Sequence, residues 1–258
     1  MNKKVKKILN KKNKSKIICL TAYSKNVADV IDKFTDLILV GDSLGSVLYN
    51  YNTTRKVTLN MMIEHAKSVR QGVVKSLLVV DMPHNTYRTK NEALKNCKKV
   101  IKETKCDAIK LEGGVKIASI IEHLVRNKIT VMGHLGILPQ SVKGKFKFKG
   151  KKIRERTQML KDAMAIEQAG VFSFVLEGVE KSLSKLITEN SKVPTIGIGA
   201  SKNCDGQVLV TDDLIGLTQS KIKFVKKFSN IRKTITEGVK KYRNQVLTKK
   251  FPNKKYSY

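Results

Sequence analysis

LILVGDS, at positions 37–43, is a short apolar run that leads into a chemically active residue, and the chain repeats this pattern four more times. The other runs are LLVVD at 77–81, AIKLEGG at 108–114, TVMGH at 130–134 and FVLEG at 174–178. One such residue after a buried strand can be an accident. Five of them indicate one shared site, because parallel α/β folds place their functional groups at the carboxyl ends of the strands.

The segments between and around these runs alternate between strand-like and helix-like patterns. Helical spacing predicts helices at 26–33, 57–71, 91–104, 116–126, 156–169 and 180–189, and further strands are predicted at 17–20, 194–199 and 208–210. Seven or eight strand-then-helix units in a chain of this length are typical of an α/β fold of the (β/α)8 TIM barrel type. An open doubly wound sheet is the alternative, although GIGA at 197–200 lacks the third glycine of a dinucleotide-binding motif.

Length and composition favour a single barrel domain over 1–258, with a basic N-terminal arm at about 1–15 and a basic C-terminal tail at about 245–258. No apolar run approaches the length of a membrane span, and the lysine-rich start does not resemble a secretory signal. The four cysteines are scattered without CxxC spacing, which is typical of free thiols in a reducing compartment. We therefore expect a cytoplasmic protein without a membrane partner.

The formal net charge of +31 raises the question of nucleic-acid binding. The excess is mostly lysine rather than arginine, and aromatic residues make up only 6% of the chain. Recognition of bases and phosphates commonly uses arginine and interleaved aromatic residues. Biased amino-acid usage is the favoured explanation, so no specific nucleic-acid partner is expected. A nucleic-acid-binding protein built on an inactive barrel remains an alternative.

Asp42, Asp81 and Glu112 would meet at the mouth of such a barrel. Three carboxylates in one place repel each other, so either a cation lies among them or at least one of them holds a proton. Mg2+ takes oxygen ligands and leaves positions open for water and substrate, which favours a metal site. Capping of the following helices or pairing with lysines is the alternative. Lys110, two residues before Glu112, faces the same way and could pair with it or bind a substrate oxygen.

Glu177, His134 and Ser43 complete the candidate site. Glu177 ends its strand without a second acid beside it, which suits a general base, although a carboxylate at a helix N-terminus is an equally good interpretation. His134 lies between two glycines and could donate to a substrate oxygen, or it could be a core histidine. Ser43 could hydrogen-bond a substrate carboxylate, but no nucleophile elbow surrounds it.

Several longer stretches are similar to those of one enzyme family. They are LTAYS at 20–24, LVGDSLG at 39–45, VTLNMMIEHAKSVRQG at 57–72, LLVVDMPHNTY at 77–87, IKLEGG at 109–114, VMGHLGILPQSV at 131–142, FVLEG at 174–178 and VPTIGIGASKNCDGQVLVTDDLIGL at 193–217. On these residues the chain resembles the ketopantoate hydroxymethyltransferase family over about residues 8 to 256.

The resemblance implies a TIM barrel of the phosphoenolpyruvate-binding type that acts in pantothenate and coenzyme A synthesis. It implies hydroxymethyl transfer from 5,10-methylenetetrahydrofolate to 3-methyl-2-oxobutanoate through a Mg2+-stabilised enolate, giving 2-dehydropantoate. It also implies a cytoplasmic homodecamer. The implied metal ligands are Asp42, Asp81 and Glu112, the keto-acid contacts are Asp42, Ser43, Asp81 and Lys110, and the base is Glu177. A metal-dependent lyase that cleaves a carbon–carbon bond on the same barrel remains an alternative.

Overall fold

The computed structural model describes residues 2–141 and 147–258. The chain divides into two compact units, Met1–Val210 and Thr211–Tyr258. The expectation of a single domain stays a prediction.

The first unit is built on a closed barrel of eight strands. The strands are β1 (Ile17–Thr21), β2 (Leu37–Val40), β3 (Leu77–Asp81), β4 (Ala108–Glu112), β5 (Val131–Gly136), β6 (Ser173–Glu177), β7 (Thr195–Ile198) and β8 (Gly206–Leu209). Each strand pairs in parallel with the next, and β8 pairs with β1 to close the ring. The predicted (β/α)8 barrel is confirmed, and the open sheet is excluded.

The helices of this unit are α1 (Lys3–Leu9), α2 (Lys25–Ile31), α3 (Leu44–Tyr49), α4 (Leu59–Arg70), α5 (Lys90–Thr104), α6 (Val115–Arg126), α7 (Ile153–Gln168) and α8 (Lys181–Asn190). Six of these eight helices, α2 and α4 to α8, lie where the helical spacing predicts them, whereas α1 and α3 were not predicted. A short 3-10 helix precedes α4 at Thr54–Lys56. Thr58 caps α4, since its side chain accepts a hydrogen bond from the Met61 N–H, which satisfies one of the free donors at a helix start. The sequence also predicts a long irregular loop at 143–154. This prediction lies outside the described residues up to position 146, and positions 153 and 154 already belong to α7.

Alternate residues along each strand face different parts of the core. In β4, Ile109 and Leu111 belong to the cluster that includes the surrounding helices, whereas Ala108 belongs to the cluster inside the barrel. Successive side chains of a strand point to opposite faces. Lys110 and Glu112 therefore share the inner face, as their spacing predicts.

The N-terminal segment differs from the expected basic arm. Residues 3–9 form α1, and the helix buries Val5 and Ile8 in the same cluster as the inner side chains of the strands. Val5, Ile8 and Leu9 are the only apolar residues of this short lysine-rich helix, and their helical spacing spans little more than one turn.

Lysines that follow α1 pair with acidic residues at the starts of strands. The Lys11 ammonium lies 2.7 Å from Asp36 Oδ2, and the Lys12 ammonium lies 2.9 Å from Asp205 Oδ2. Asp36 directly precedes β2, and Asp205 directly precedes β8. The segment therefore covers the amino ends of these strands and leaves their carboxyl ends free for chemistry.

The second unit contains α9 (Thr211–Leu214) and α10 (Ile231–Leu247). The ring of Phe251 packs against those of Tyr242 and Tyr256, at centroid distances of 5.6 and 5.9 Å. Helix α10 ends at Leu247, so the expected basic tail at about 245–258 begins in its last turn.

Among the described residues, no helix is both long and apolar enough to cross a bilayer. All four cysteines are buried free thiols, as their spacing predicts.

Candidate active site

The barrel register brings the candidate residues side by side at the carboxyl ends of four neighbouring strands. Asp81 is the last residue of β3, and its register partner on β4 is Lys110. Glu112 pairs in the same way with His134 on β5. Glu177 ends β6 one strand further on. Asp42 follows β2 by two residues and reaches the same end of the barrel, because its backbone N–H donates to Asp81 Oδ2 at 3.1 Å.

Lys110 is a buried cation held against a buried acid. Its ammonium lies 2.8 Å from Asp81 Oδ1, and both side chains are almost fully buried. Burial alone lowers the pKa of a lysine, but the neighbouring carboxylates of Asp81, Glu112 and Asp42 outweigh this effect and raise the pKa of Lys110. The ammonium therefore stays charged and offers a fixed positive group inside the barrel.

Asp42 is the acid that the surroundings make hardest to ionise. Burial, followed by the charges of Asp81 and Glu112, raises its pKa to about 8. Burial also raises the pKa of Asp81, against the effect of Lys110. Without an added cation, Asp42 keeps a proton at neutral pH. This agrees with the expectation that three carboxylates at one mouth cannot all be charged.

His134 connects the acids of β4 and β6. Its Nδ1 lies 3.4 Å from Glu112 Oε1, and its Nε2 lies 3.3 Å from Glu177 Oε2. Burial and the charge of Lys110 lower the pKa of His134, but the neighbouring carboxylates of Glu112 and Glu177 outweigh them and raise it to about 9. Burial opposes ionisation of Glu112, but His134 and Lys110 together lower its pKa. His134 therefore lies between two acids, with the Lys110 ammonium 3.4 Å from its Nδ1 and with no hydrogen bond at its Nε2 among the described residues.

Glu177 and Ser43 lie at the more open side of the site. The Glu177 side chain is 20% exposed, whereas that of Glu112 is 3% exposed, so Glu177 is the acid that a substrate can reach most easily. Ser43 is half-buried, and its hydroxyl lies 2.7 Å from the Tyr23 hydroxyl. All seven predicted site residues, Glu112 among them, thus lie at the carboxyl end of the barrel.

Sequence reasoning missed Gln140 and Tyr87. The Gln140 side chain is buried, and its Nε2 donates to Asp42 Oδ2 at 2.8 Å and to the Met82 carbonyl at 2.9 Å. Its Oε1 accepts a hydrogen bond from the Tyr87 hydroxyl at 2.6 Å. Both residues occur in stretches that carry the family resemblance, but neither is charged in the range where acid–base chemistry operates. A search for titratable residues therefore passes over them.

The donor chemistry of the site fits a hard divalent cation. Asp42, Asp81 and Glu112 supply only oxygen atoms, and one of these acids keeps a proton that a cation could replace. Within 2–141 and 147–258, no three His, Cys, Asp or Glu side chains are grouped closely enough to hold an ion by themselves. Mg2+ is usually held by one or two carboxylates together with water and substrate oxygens, so such a group is not required. The assignment of three protein ligands stays a prediction.

Comparisons with known proteins agree with this geometry. A family model described as "Ketopantoate hydroxymethyltransferase" matches residues 2–254. A 3-methyl-2-oxobutanoate hydroxymethyltransferase of Pelagibacter ubique is 65% identical over 258 residues, which cover 100% of both chains. One of the same name from Anaplasma marginale (strain St. Maries) is 46% identical over 250 residues, or 96% of this chain and 90% of the relative.

A solved structure has the same fold. The crystal structure of 2,3-dimethylmalate lyase, described as a member of the PEP mutase/isocitrate lyase superfamily, matches with a TM-score of 0.56 at 13% identity. The match covers 76% of this chain and 72% of that one. At this identity the likeness shows the fold alone, and it agrees with the barrel described above. The phosphoenolpyruvate-binding type stays a prediction.

Proposed function

The chain belongs to the ketopantoate hydroxymethyltransferase family, and from this premise we propose that it transfers a hydroxymethyl group from 5,10-methylenetetrahydrofolate to 3-methyl-2-oxobutanoate. Water is consumed, and the products are 2-dehydropantoate and tetrahydrofolate. The observation that carries the proposal is full-length identity of 65% to a relative of that name, combined with a cluster of acids around one buried lysine.

The keto acid would be held by the fixed donors of the site. The Lys110 ammonium offers positive charge to the substrate oxygens, and the Ser43 hydroxyl and His134 Nε2 offer hydrogen bonds. Mg2+ would be held by Asp42, Asp81 and Glu112. When bound, the ion supplies a Lewis acid that withdraws electrons from the ketone and acidifies the neighbouring C–H bond.

Glu177 would act as the general base. It is the most exposed acid of the cluster, and the His134 contact at 3.3 Å fixes its carboxylate. Glu177 removes the proton from the third carbon of the keto acid, and Lys110 stabilises the negative charge that develops on the substrate oxygen. The resulting carbon nucleophile bonds to the one-carbon unit of the folate. In the complete reaction the bond between that carbon and the folate nitrogen breaks, the nitrogen takes up a proton, and the oxygen of water becomes the hydroxyl of the product.

Exchange of the substrate proton with solvent tests this assignment. In D2O with Mg2+, Glu177→Gln should abolish deuterium incorporation at the third carbon, followed by NMR, while keto-acid binding measured by calorimetry persists. Glu180→Gln is a matched control, since Glu180 lies outside the site as the cap of α8 and should leave exchange unchanged. Normal exchange in the Glu177 variant would remove this residue from the role of base.

Dependence on the folate separates the proposed reaction from a lyase. Formation of 2-dehydropantoate only when methylenetetrahydrofolate is present supports the transferase, whereas cleavage of hydroxy or keto dicarboxylates without folate would contradict it. We also propose that the protein is a cytoplasmic homodecamer, as the family resemblance implies. Sedimentation velocity tests the subunit number, and a smaller particle would contradict it.

A further inference from the structure

Gln140 is a neutral residue at the centre of the acid cluster, and every polar group of its side chain is used. It follows β5 in the loop at 137–141 and is 3% exposed. Both N–H bonds of its amide have acceptors, Asp42 Oδ2 and the Met82 carbonyl. Its own backbone N–H donates to Glu112 Oε2 at 3.1 Å. One residue thus holds two acids that come from different strands.

The orientation of the amide is fixed by its neighbours. The Met82 carbonyl is only an acceptor, so the nitrogen of the amide must face it. The oxygen must then face Tyr87, which acts as the donor to Gln140 Oε1. The lone pairs of the same Tyr87 hydroxyl remain available to the Glu112 backbone N–H, which lies 3.4 Å away.

These contacts form one directed chain of hydrogen bonds through the site. The Glu112 N–H donates to Tyr87, Tyr87 donates to Gln140, and Gln140 donates to Asp42. The Asp42 N–H in turn donates to Asp81 Oδ2. This chain therefore connects all three acids proposed as metal ligands. The direction of its hydrogen bonds is fixed, because reversing one of them would leave a buried donor without an acceptor.

We infer that Gln140 is a positioning residue, which with Tyr87 holds Asp42 and Glu112 in the arrangement that binds the divalent cation. The inference rests on the proposed function, because it assumes that these acids bind the ion. Gln140 occupies one oxygen of Asp42 with a neutral donor and leaves the other for the ion. Groups that orient metal ligands in this way typically affect metal affinity about 10- to 100-fold.

The test measures binding of Mn2+ to the whole chain by the electron paramagnetic resonance signal of the free ion, in parallel with keto-acid binding and turnover. Gln140→Met keeps a long side chain but removes the amide, and we expect its affinity for Mn2+ to fall about 10- to 100-fold. Tyr87→Phe removes one hydroxyl and leaves Gln140 in place, so a smaller loss is expected. The double variant should lose less than the product of the two single losses, because both substitutions break the same chain.

Ser173→Ala is the matched control. Ser173 is fully buried and donates one hydrogen bond to the Pro194 carbonyl at 2.7 Å, at the start of β6 and far along that strand from the site. It should lower thermal stability without changing Mn2+ affinity.

The outcomes separate the inference from the proposed function. If Gln140→Met and Tyr87→Phe bind Mn2+ within twofold of the unaltered chain, Gln140 is only a core residue and the inference is wrong. If Gln140→Met does not fold, Tyr87→Phe decides by the same criterion. If the unaltered chain itself binds no Mn2+, the proposed metal site is wrong, and the positioning role is overturned with it.

Discussion

Replacing Asp42 by asparagine should make the metal-free protein more stable at neutral pH, although it removes a proposed metal ligand. The pKa of Asp42 is raised from an ordinary value of 3.8 to about 8 in the folded chain, chiefly by burial and then by Asp81 and Glu112. The folded state therefore keeps a proton that the unfolded chain has already lost. Asparagine is close in size, carries no charge, and can still accept the hydrogen bond from Gln140.

The sign and size of the effect follow from proton linkage. Between about pH 4 and pH 8 the folded chain holds one more proton at Asp42 than the unfolded chain, so the stability from this group falls as the pH rises. The slope for one proton is about 1.4 kcal/mol per pH unit. The variant lacks this slope. Its advantage in free energy of unfolding should therefore grow by about 3 kcal/mol between pH 5 and pH 7 and level off above pH 8.

Urea unfolding in EDTA, followed by circular dichroism at several pH values, measures this difference. The control is Asp29→Asn, an exposed position on α2 where no pH-dependent difference is expected. Added Mg2+ should stabilise the unaltered chain and not the Asp42 variant. A variant that is less stable than the unaltered chain at pH 8, or a difference that does not change with pH, would refute the reasoning.

Three further substitutions test other parts of the structure. Lys110→Met should have the opposite effect from the Asp42 variant and destabilise the metal-free chain by about 3–5 kcal/mol at pH 8, because Asp81 loses its buried partner; an unchanged urea midpoint would contradict this. Lys12→Met should lower the free energy of unfolding by up to about 3 kcal/mol, because Asp205 loses its ion-pair partner. Its affinity for Mn2+ should be unchanged, and an altered affinity would show that the two ends of the barrel are coupled. Thr58→Ala should lower the free energy of unfolding by about 1 kcal/mol through loss of the α4 cap and should leave kcat unchanged. If urea titration finds the variant as stable as the unaltered chain, the Thr58 side chain does not stabilise α4 as a cap.

The strand order and the acid cluster could be predicted because each depends on a local pattern. Runs such as 77–81 are short, apolar and terminated by an acid, and a parallel barrel gathers such ends at one mouth. The two-residue spacing of Lys110 and Glu112 was enough to place both inside the barrel. Neither inference required knowledge of a loop.

Gln140 and α1 could not be predicted because their roles depend on distant contacts. The amide of Gln140 meets Asp42, 98 residues away in the chain, through a loop whose path has no periodic signal. Val5 and Ile8 enter the core only because the amino ends of the strands leave room for them. Val5, Ile8 and Leu9 have helical spacing, but so short a stretch does not reveal which part of the barrel it packs against.

Closure of the ring between β1 and β8 makes the first strand depend on the last one synthesised. Ile17 pairs with Gly206, and the Ile17 N–H donates to the Asp205 carbonyl. During translation, one edge of β1 stays unpaired until β8 has left the ribosome, when almost the whole barrel has been synthesised. Contacts so remote in sequence are formed slowly, so nascent chains should expose an unpaired strand edge until synthesis is nearly complete.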